Sequence, residues 1–235
     1  MELSLSRRDL AQVGATARGT MRLLSKPNKP NDTQSQKLVV GDATGALFCF
    51  GLAKKSNAFE LLLQTTPDPN DTGVDAVSID QDRIFWASGQ LVRGVTKRGK
   101  EVLRFRTDLA EPIRSMVVSG EAIHAAGVFT YNEFLNCKGS ASYMAADRIN
   151  DVTSVNLSAG SRPVVVLGCQ DRSVRVLHGS TLLHELPTNG PVSVVEAYHN
   201  PDVGTERVGT FGSETPAAVA SSSPSLIYGT DSGQV

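Results

Sequence analysis

The stretch VDAVSIDQDRIFWASGQLVRGVTKRGKEVLRFR, residues 74–106, decides the fold class because it reads as four short strands joined by tight turns. Its apolar runs cover 74–79, 84–87, 91–96 and 101–106, and none has the length or period of a helix. Gly or a short polar residue that can adopt positive φ separates the runs. The predicted turns lie at 80–82, 88–90 and 97–99. The stretch therefore predicts a four-stranded antiparallel sheet.

The last strand of this stretch indicates how the sheet must pack. Leu103 and Phe105 alternate with Val102, Arg104 and Arg106, so the first two point to one face of the strand. A single sheet cannot bury an apolar face by itself, and a neighbouring sheet of the same kind must cover it. This pattern is typical of repeat folds in which similar sheets pack side by side.

A repeat of this unit runs along the chain. Its most apolar strand, the second of each unit, recurs every roughly 40 to 50 residues, with one longer interval at the end. The five copies are LVVG from residue 38, IFWA from 84, IHAA from 123, VVLG from 165 and LIYG from 226. Units of this length with four strands each predict an all-β fold, a β-propeller of four-stranded antiparallel blades.

The repeat is interrupted twice and reaches only the second strand of a fifth unit. Residues 1–235 are therefore expected to be the N-terminal part of one propeller domain, with about four and a half blades. Residues 128–137 lengthen the third unit and obscure its strands. Residues 199–225, which include PAAVASSSP, are predicted to form a flexible loop insertion. A short strand at 2–6 is expected to pair with the last blade of a closed ring.

Composition disfavours several function classes. The 235 residues are 40% hydrophobic, and 23 basic and 24 acidic residues leave a net charge of -1. This balance provides no general attraction for nucleic acid, so no nucleic-acid partner is expected. No apolar run fits a signal peptide or a membrane span, which predicts a cytosolic protein. Cys49, Cys137 and Cys169 fit reduced thiols better than a disulfide framework or a metal site.

Two tripeptides, DTG from Asp71 and DSG from Asp231, resemble the pair of carboxylates that share a proton in aspartic proteases. Such proteases need apolar residues directly before each Asp, whereas small or polar residues precede both here. Each tripeptide also lies where the repeat requires a turn, which is the preferred interpretation. No metal-binding spacing occurs among the histidines, which are His124, His178, His184 and His199. We therefore predict no catalytic residue, no cofactor and no metal.

A basic cluster is the one charge feature that stands out. The cluster lies in and around the turn between the third and fourth strands of the second unit, is interrupted by Glu101 alone, and consists of Arg93, Lys97, Arg98, Lys100, Arg104 and Arg106. Its candidate contact residues are Arg93, Lys97, Arg98 and Lys100. If these residues bind a partner, we expect an acidic protein or anionic lipid headgroups. A solvated hairpin without a partner is the alternative.

Five strings resemble, in the same order, those of the Bardet-Biedl syndrome 7 protein family. They are LVVGDATGALFCFG (38–51), RGVTKRGK (93–100), DRINDV (147–152), CQDRSVRVL (169–177) and YGTDSG (228–233). The opening QVG at 12–14 also fits, and the resemblance fails mainly over 27–36 and 201–225. Trp86 is the only tryptophan, so the Gly-His and Trp-Asp pairs of ordinary WD repeats are missing.

This resemblance implies a seven-bladed propeller followed by a coiled coil and an adaptin-ear-like domain. It also implies a non-enzymatic scaffold or adaptor subunit of the BBSome, a coat-like complex that moves membrane proteins to and from cilia with intraflagellar transport. The implied partners are other BBSome subunits and, through the complex, an Arf-like GTPase, ciliary membrane cargo and an anionic membrane surface. The implied locations are the cytoplasm, the cilium and its basal body, with peripheral membrane association. Two alternatives stay open: a propeller subunit of another trafficking coat, and an aspartic protease.

Overall fold

A computed structural model of the chain describes residues 9, 11–24, 36–53, 58–67, 69, 72–156, 163–198 and 225–233. In this part the chain forms four four-stranded antiparallel sheets and one two-stranded sheet. Strands follow one another in chain order within every sheet, so each sheet is a meander and forms one blade. The prediction of a β-propeller with about four and a half blades is confirmed. Within these residues, no helix has the length and apolarity that crossing a membrane requires.

The blades have the following strands. The first contains β1 (Met21–Leu24), β2 (Lys37–Gly41), β3 (Leu47–Leu52) and β4 (Phe59–Gln64). The second contains β5 (Ala76–Asp80), β6 (Arg83–Ser88), β7 (Leu91–Thr96) and β8 (Glu101–Arg106). The third contains β9 (Ser115–Ser119), β10 (Ala122–Ala126), β11 (Thr130–Leu135) and β12 (Lys138–Met144). The fourth contains β13 (Ile149–Val155), β14 (Val164–Cys169), β15 (Ser173–His178) and β16 (Thr181–Pro187). The fifth contains β17 (Val192–Tyr198) and β18 (Ser225–Thr230).

Apolar side chains are buried at the seams, which are the interfaces between neighbouring blades. The inner strands alternate their side chains between two seams because successive residues point to opposite faces. In β6, Ile84 and Trp86 pack against the first blade, whereas Phe85 and Ala87 pack against the third. First strands of successive blades lie side by side around the axis. The core is therefore divided among the seams.

A small residue occupies one repeat position in every unit, at the end of each quoted second-strand run. These residues are Gly41, Ala87, Ala126, Gly168 and Gly229. A Cβ added at Gly41 would lie 2.4 Å from Cγ1 of Val74, and one at Gly168 would lie 2.7 Å from Cγ1 of Val192. Both valines stand at the start of the next blade. A residue with little or no side chain thus lets neighbouring blades approach closely.

The outer strand of the second blade confirms the predicted alternation. Phe105 is half-buried against the third blade, and its ring centre lies 5.5 Å from that of Phe134 in an edge-on arrangement. Val102, on the opposite face of β8, is exposed. The outer strand therefore contributes one of its two faces to a seam.

The meander sorts the turns onto two faces of the propeller. The lower face carries the turns after the first and third strands of each blade, such as 81–82 and 97–100. The upper face carries the turns after the second strands and the connections between blades. Every first strand consequently begins at the upper face, close to the axis.

The third unit forms a regular blade despite its obscure sequence. Asn136 and Cys137 make the turn between β11 and β12 with φ angles of 51° and 63°. Positive φ at both positions is what a two-residue type I′ hairpin turn requires. The predicted strand 2–6 and residues 199–224 of the predicted loop insertion lie outside the described residues.

Candidate functional site: basic surfaces on two faces

The basic residues predicted from the sequence lie in and beside the turn that joins β7 to β8 on the lower face. Hydrogen bonds from Gly99 N to Thr96 O (2.8 Å) and from Thr96 N to Lys100 O (2.9 Å) close this turn. Gly99 has a φ of 86°, a conformation that favours glycine. Arg98 and Lys100 are exposed at the tip of the hairpin.

Arg93 is placed differently because its side chain lies in the seam to the first blade. Its guanidinium carbon is 4.9 Å from the ring centre of Trp86, a cation–π arrangement. Nη1 donates a hydrogen bond to the carbonyl oxygen of Thr66 (3.1 Å), and Nη2 lies 3.6 Å from Oε2 of Glu101. With 12% of its side chain exposed, Arg93 joins two blades and leaves little surface for a partner.

Lys97 is paired with the neighbouring turn of its own blade. Its Nζ forms an ion pair with the carboxylate of Asp82, and its backbone N–H donates to Asp82 O (2.9 Å). The structure thus divides the predicted cluster, since only Arg98 and Lys100 are both exposed and at the tip. Contact of this tip with an acidic protein or a membrane stays a prediction.

A second basic surface lies on the upper face, around a cavity at the axis of the propeller. The cavity has a volume of about 560 Å³ and is lined by the starts of first strands. Its charged lining residues are Arg18, Arg22, Arg114, Arg148, Asp75 and Asp151. The arginines come from three different blades, so the fold brings together charges that are distant in the sequence.

Both aspartates of this cavity are already engaged by hydrogen bonds. Asp75 Oδ1 accepts from Arg114 Nη1 (3.1 Å), and its Oδ2 accepts from the backbone N–H of Gly89 (2.9 Å). Asp151 accepts from Ser115 Oγ at 2.7 Å and from two backbone N–H groups at 3.0 and 3.1 Å. The aspartates hold strands and turns in place and neutralise only part of the basic charge.

The arginines differ in how they are bound. Arg18 donates a hydrogen bond to the carbonyl oxygen of Ser193 in the fifth blade. Arg22 and Arg148 form no ion pair with any other residue that the structure describes. Burial raises the pKa of Glu196 above its ordinary value, and the nearby Arg22 opposes that shift. Exposed guanidinium groups at this mouth are therefore suited to an anionic group of a partner.

Glu111 shapes the wall of the cavity by fixing the turn between β10 and β11. Its Oε2 accepts hydrogen bonds from Val128 N (2.7 Å), Phe129 N (3.0 Å) and Thr130 Oγ1 (3.2 Å). Burial alone would raise the pKa of Glu111, but these hydrogen bonds hold the pKa of the carboxyl below its usual value. The ionised carboxylate thus positions Val128 in the lining.

The sequence analysis did not predict the arginines of the upper face because they do not form a contiguous run of basic residues in the chain. The repeat register is the signal that finds them. Asp75, Arg114 and Arg148 each stand directly before a first strand. Equivalent positions of successive blades meet around the axis, so charges one repeat apart become neighbours.

The motifs of other chemistries do not form a site among the described residues. Asp71 lies outside these residues, and Asp231, in the turn after β18, accepts a hydrogen bond from Ser193 Oγ. Of the histidines, His124 is buried, His178 and His184 are exposed, and His199 lies outside the described residues. In the described part of the chain, no group of three His, Cys, Asp or Glu side chains could hold a metal ion.

Comparison with known proteins gives a family match and two curated relatives. The family described as "BBS7 beta-propeller" matches residues 21–235. The chain is 41% identical over 209 residues to the BBSome complex member BBS7 of Mus musculus, which covers 87% of this chain and 28% of that protein. It is 30% identical over 219 residues to the BBSome complex member bbs-7 of Caenorhabditis elegans, which covers 89% of this chain and 29% of that protein. The chain thus spans under a third of the length of these relatives.

Solved structures of low sequence identity share the fold. A crystal structure of BBS1N in complex with ARL6DN, soaked with lead, matches 97% of this chain and 64% of that chain with a TM-score of 0.63 at 15% identity. The WD40 β-propeller domain of Doa1 matches 68% of this chain and 54% of that chain with a TM-score of 0.53 at 9% identity. At these identities the likeness establishes the propeller architecture alone.

Proposed function

The chain belongs to the BBS7 β-propeller family, and from this premise we propose that it is a non-enzymatic scaffold subunit of the BBSome that takes part in ciliary membrane-protein traffic. The match over residues 21–235 carries the proposal. Because the curated relatives are more than three times as long as the matched region, the propeller supplies one part of that role. Its share is the presentation of surfaces to other subunits.

The placement of the charged groups supports binding over catalysis. Glu111, Asp75 and Asp151, the carboxylates around the axial cavity, hold turns and strands through hydrogen bonds. Exposed Arg22 and Arg148 instead face the cavity mouth without ion-pair partners among the described residues. Groups that an acid–base reaction needs are committed to the fold, whereas groups that suit recognition are open.

The proposed partners are other BBSome subunits, which would place acidic groups at the upper face. An Arf-like GTPase is a second proposed partner because a solved neighbour is BBS1N in complex with ARL6DN. Membrane cargo and an anionic membrane surface would be reached through the assembled complex. The proposed locations are the cytoplasm, the cilium and its basal body, with peripheral attachment to the membrane.

Co-purification with co-expressed BBSome subunits tests this function. The tagged 235-residue chain should retain at least one subunit, and reversal of both Arg22 and Arg148 to Glu should weaken that retention. Reversal of Arg98 and Lys100 to Glu changes the charge by the same amount on the lower face, so comparison of the two variants shows which face binds the retained subunit. Failure of the unaltered chain to retain any subunit, or its cleavage of peptides in a pepstatin-sensitive reaction, would contradict the proposal.

A further inference from the structure

A separate pocket opens on the lower face at the seam between the third and fourth blades. Its volume is about 270 Å³, just below the range of about 300 to 1,000 Å³ that holds small-molecule ligands. The third blade contributes the turn after β9 and the end of β11, and the fourth contributes the start of β14 and the end of β15. A pocket of this size fits a single side chain better than a cofactor.

The ring of His124 lines the pocket with one nitrogen unused. His124 is 1% exposed, and its Nδ1 lies 2.9 Å from the hydroxyl oxygen of Tyr131. Its Nε2 has no hydrogen-bond partner within the described part of the chain. Burial lowers the pKa of His124 to about 4, so the imidazole is neutral at physiological pH. A neutral ring does not repel a cation.

The charge of the pocket is acidic and uncompensated. Glu133 lies directly opposite His124 in the pairing of β10 with β11 and is 7% exposed. Among the described residues its carboxylate forms no ion pair or hydrogen bond. Glu121 lies at the mouth, and the lining contains no Lys or Arg. No basic side chain of the lining offsets the charge of Glu133, so the pocket offers a carboxylate to a cation from outside.

We propose that this pocket binds an arginine side chain of a partner protein. A planar guanidinium can donate two parallel hydrogen bonds to the Glu133 carboxylate, which a lysine ammonium cannot do. The rings of His124 and Tyr131, with centres 6.2 Å apart, are both buried and fix the position of the His124 imidazole beside the pocket. In the tautomer whose Nδ1–H donates to the Tyr131 oxygen, Nε2 accepts a further guanidinium N–H. One bound arginine thus satisfies both unpaired groups.

Titration of the 235-residue chain with N-acetyl-L-arginine methylamide, followed by NMR of ¹³C-labelled methyl groups, tests this proposal. The Val165 methyl signals, which report from the pocket lining, should shift and saturate. The corresponding citrulline amide has the same shape without the charge, and the lysine amide has the charge without the planar fork. Both should bind more weakly by about tenfold or more.

Glu133→Gln removes the charge with little change of shape and should weaken arginine binding by about tenfold or more. Glu60→Gln, on the exposed outer strand β4, is the matched control and should bind as the unaltered chain does. Glu121→Arg places a competing cation at the mouth of the pocket and leaves Glu133 and His124 unchanged, so it tests the site even if Glu133→Gln unfolds the chain. The proposal would be overturned if the arginine, citrulline and lysine amides bound equally well, or if Glu133→Gln or Glu121→Arg bound arginine as the unaltered chain does. Val165 methyl shifts that did not saturate with the arginine amide would also overturn it, because the pocket would then hold only water. Because the probe is a small molecule, the result is independent of BBSome assembly.

Discussion

Replacing Gly41 by alanine should destabilise the propeller although the change adds a single methyl group. The new Cβ would lie 2.4 Å from Cγ1 and 2.6 Å from Cβ of Val74, well inside ordinary van der Waals contact. Val74 is 3% exposed in the first seam, and its β-branched side chain has few other rotamers to adopt. Overpacking of this kind costs about 1 to 3 kcal/mol, which exceeds the roughly 0.4 to 1 kcal/mol that a Gly-to-Ala change gains in the unfolded chain.

Denaturant unfolding at equilibrium measures this effect as a shift of the midpoint. Gly139→Ala is the matched control because Gly139 has no heavy atom within 4 Å of its added Cβ and no positive φ. The control should be as stable as the unaltered chain or slightly more so. Val74→Ala should cost less in the Gly41→Ala background than in the unaltered chain, since it removes two of the colliding methyl groups. Equal midpoints for Gly41→Ala and Gly139→Ala would refute the argument that this glycine sets the distance between blades.

Three further predictions concern the outer strand, the lower-face turn and the buried histidine. Phe105→Ala should lower the free energy of unfolding by about 2 kcal/mol, less than the roughly 3 to 5 kcal/mol lost when a fully buried Phe is replaced. Val102→Ala, on the exposed face of β8, should change the free energy of unfolding by no more than about 0.5 kcal/mol. Equal shifts in melting temperature for the two variants would contradict the alternation. Arg98→Glu with Lys100→Glu should keep the fold but weaken the binding of the chain to anionic liposomes at low salt, and unchanged binding would leave the tip a solvated turn. The pKa of His124 is about 4 in the folded chain and about 6.5 in the unfolded chain, so the unfolded chain binds more protons between these pH values. About 3 kcal/mol of folding stability should therefore be lost as pH falls from 6.5 to 4. His124→Gln should reduce this loss, and an unfolding midpoint with the same pH dependence as that of the unaltered chain would contradict the assignment.

The strand order was predictable because it depends on local signals. The five second strands are short apolar runs ending in a small residue, and a glycine marks turns such as the one between Ser88 and Leu91. The turns of the third unit have no such local sequence signal, so its strands were harder to predict. The turn at Asn136 and Cys137 adopts positive φ without glycine, and the turn before β11 is held by Glu111 from another part of the chain. Such long-range hydrogen bonds leave no local pattern.

The candidate surfaces were less predictable because they depend on which strands become neighbours. A run of basic residues predicted one cluster, but strand pairing places Arg93 over Trp86 and Lys97 beside Asp82. The upper arginines show the reverse case, since Arg22 and Arg148 share a cavity but are far apart in the sequence. Charge in a propeller must therefore be read across the repeat as well as along it.

Because the core is divided among the seams, substitutions that change folding stability and substitutions that change binding fall on different residues. A seam couples only adjacent blades, so the free energy of folding is close to a sum of nearest-neighbour terms. Residues at the strand ends, such as Arg98 below and Arg148 above, contribute little to any of these terms because they are exposed. Substitutions on either face can therefore give the propeller new binding partners while the adhesion between its blades stays the same.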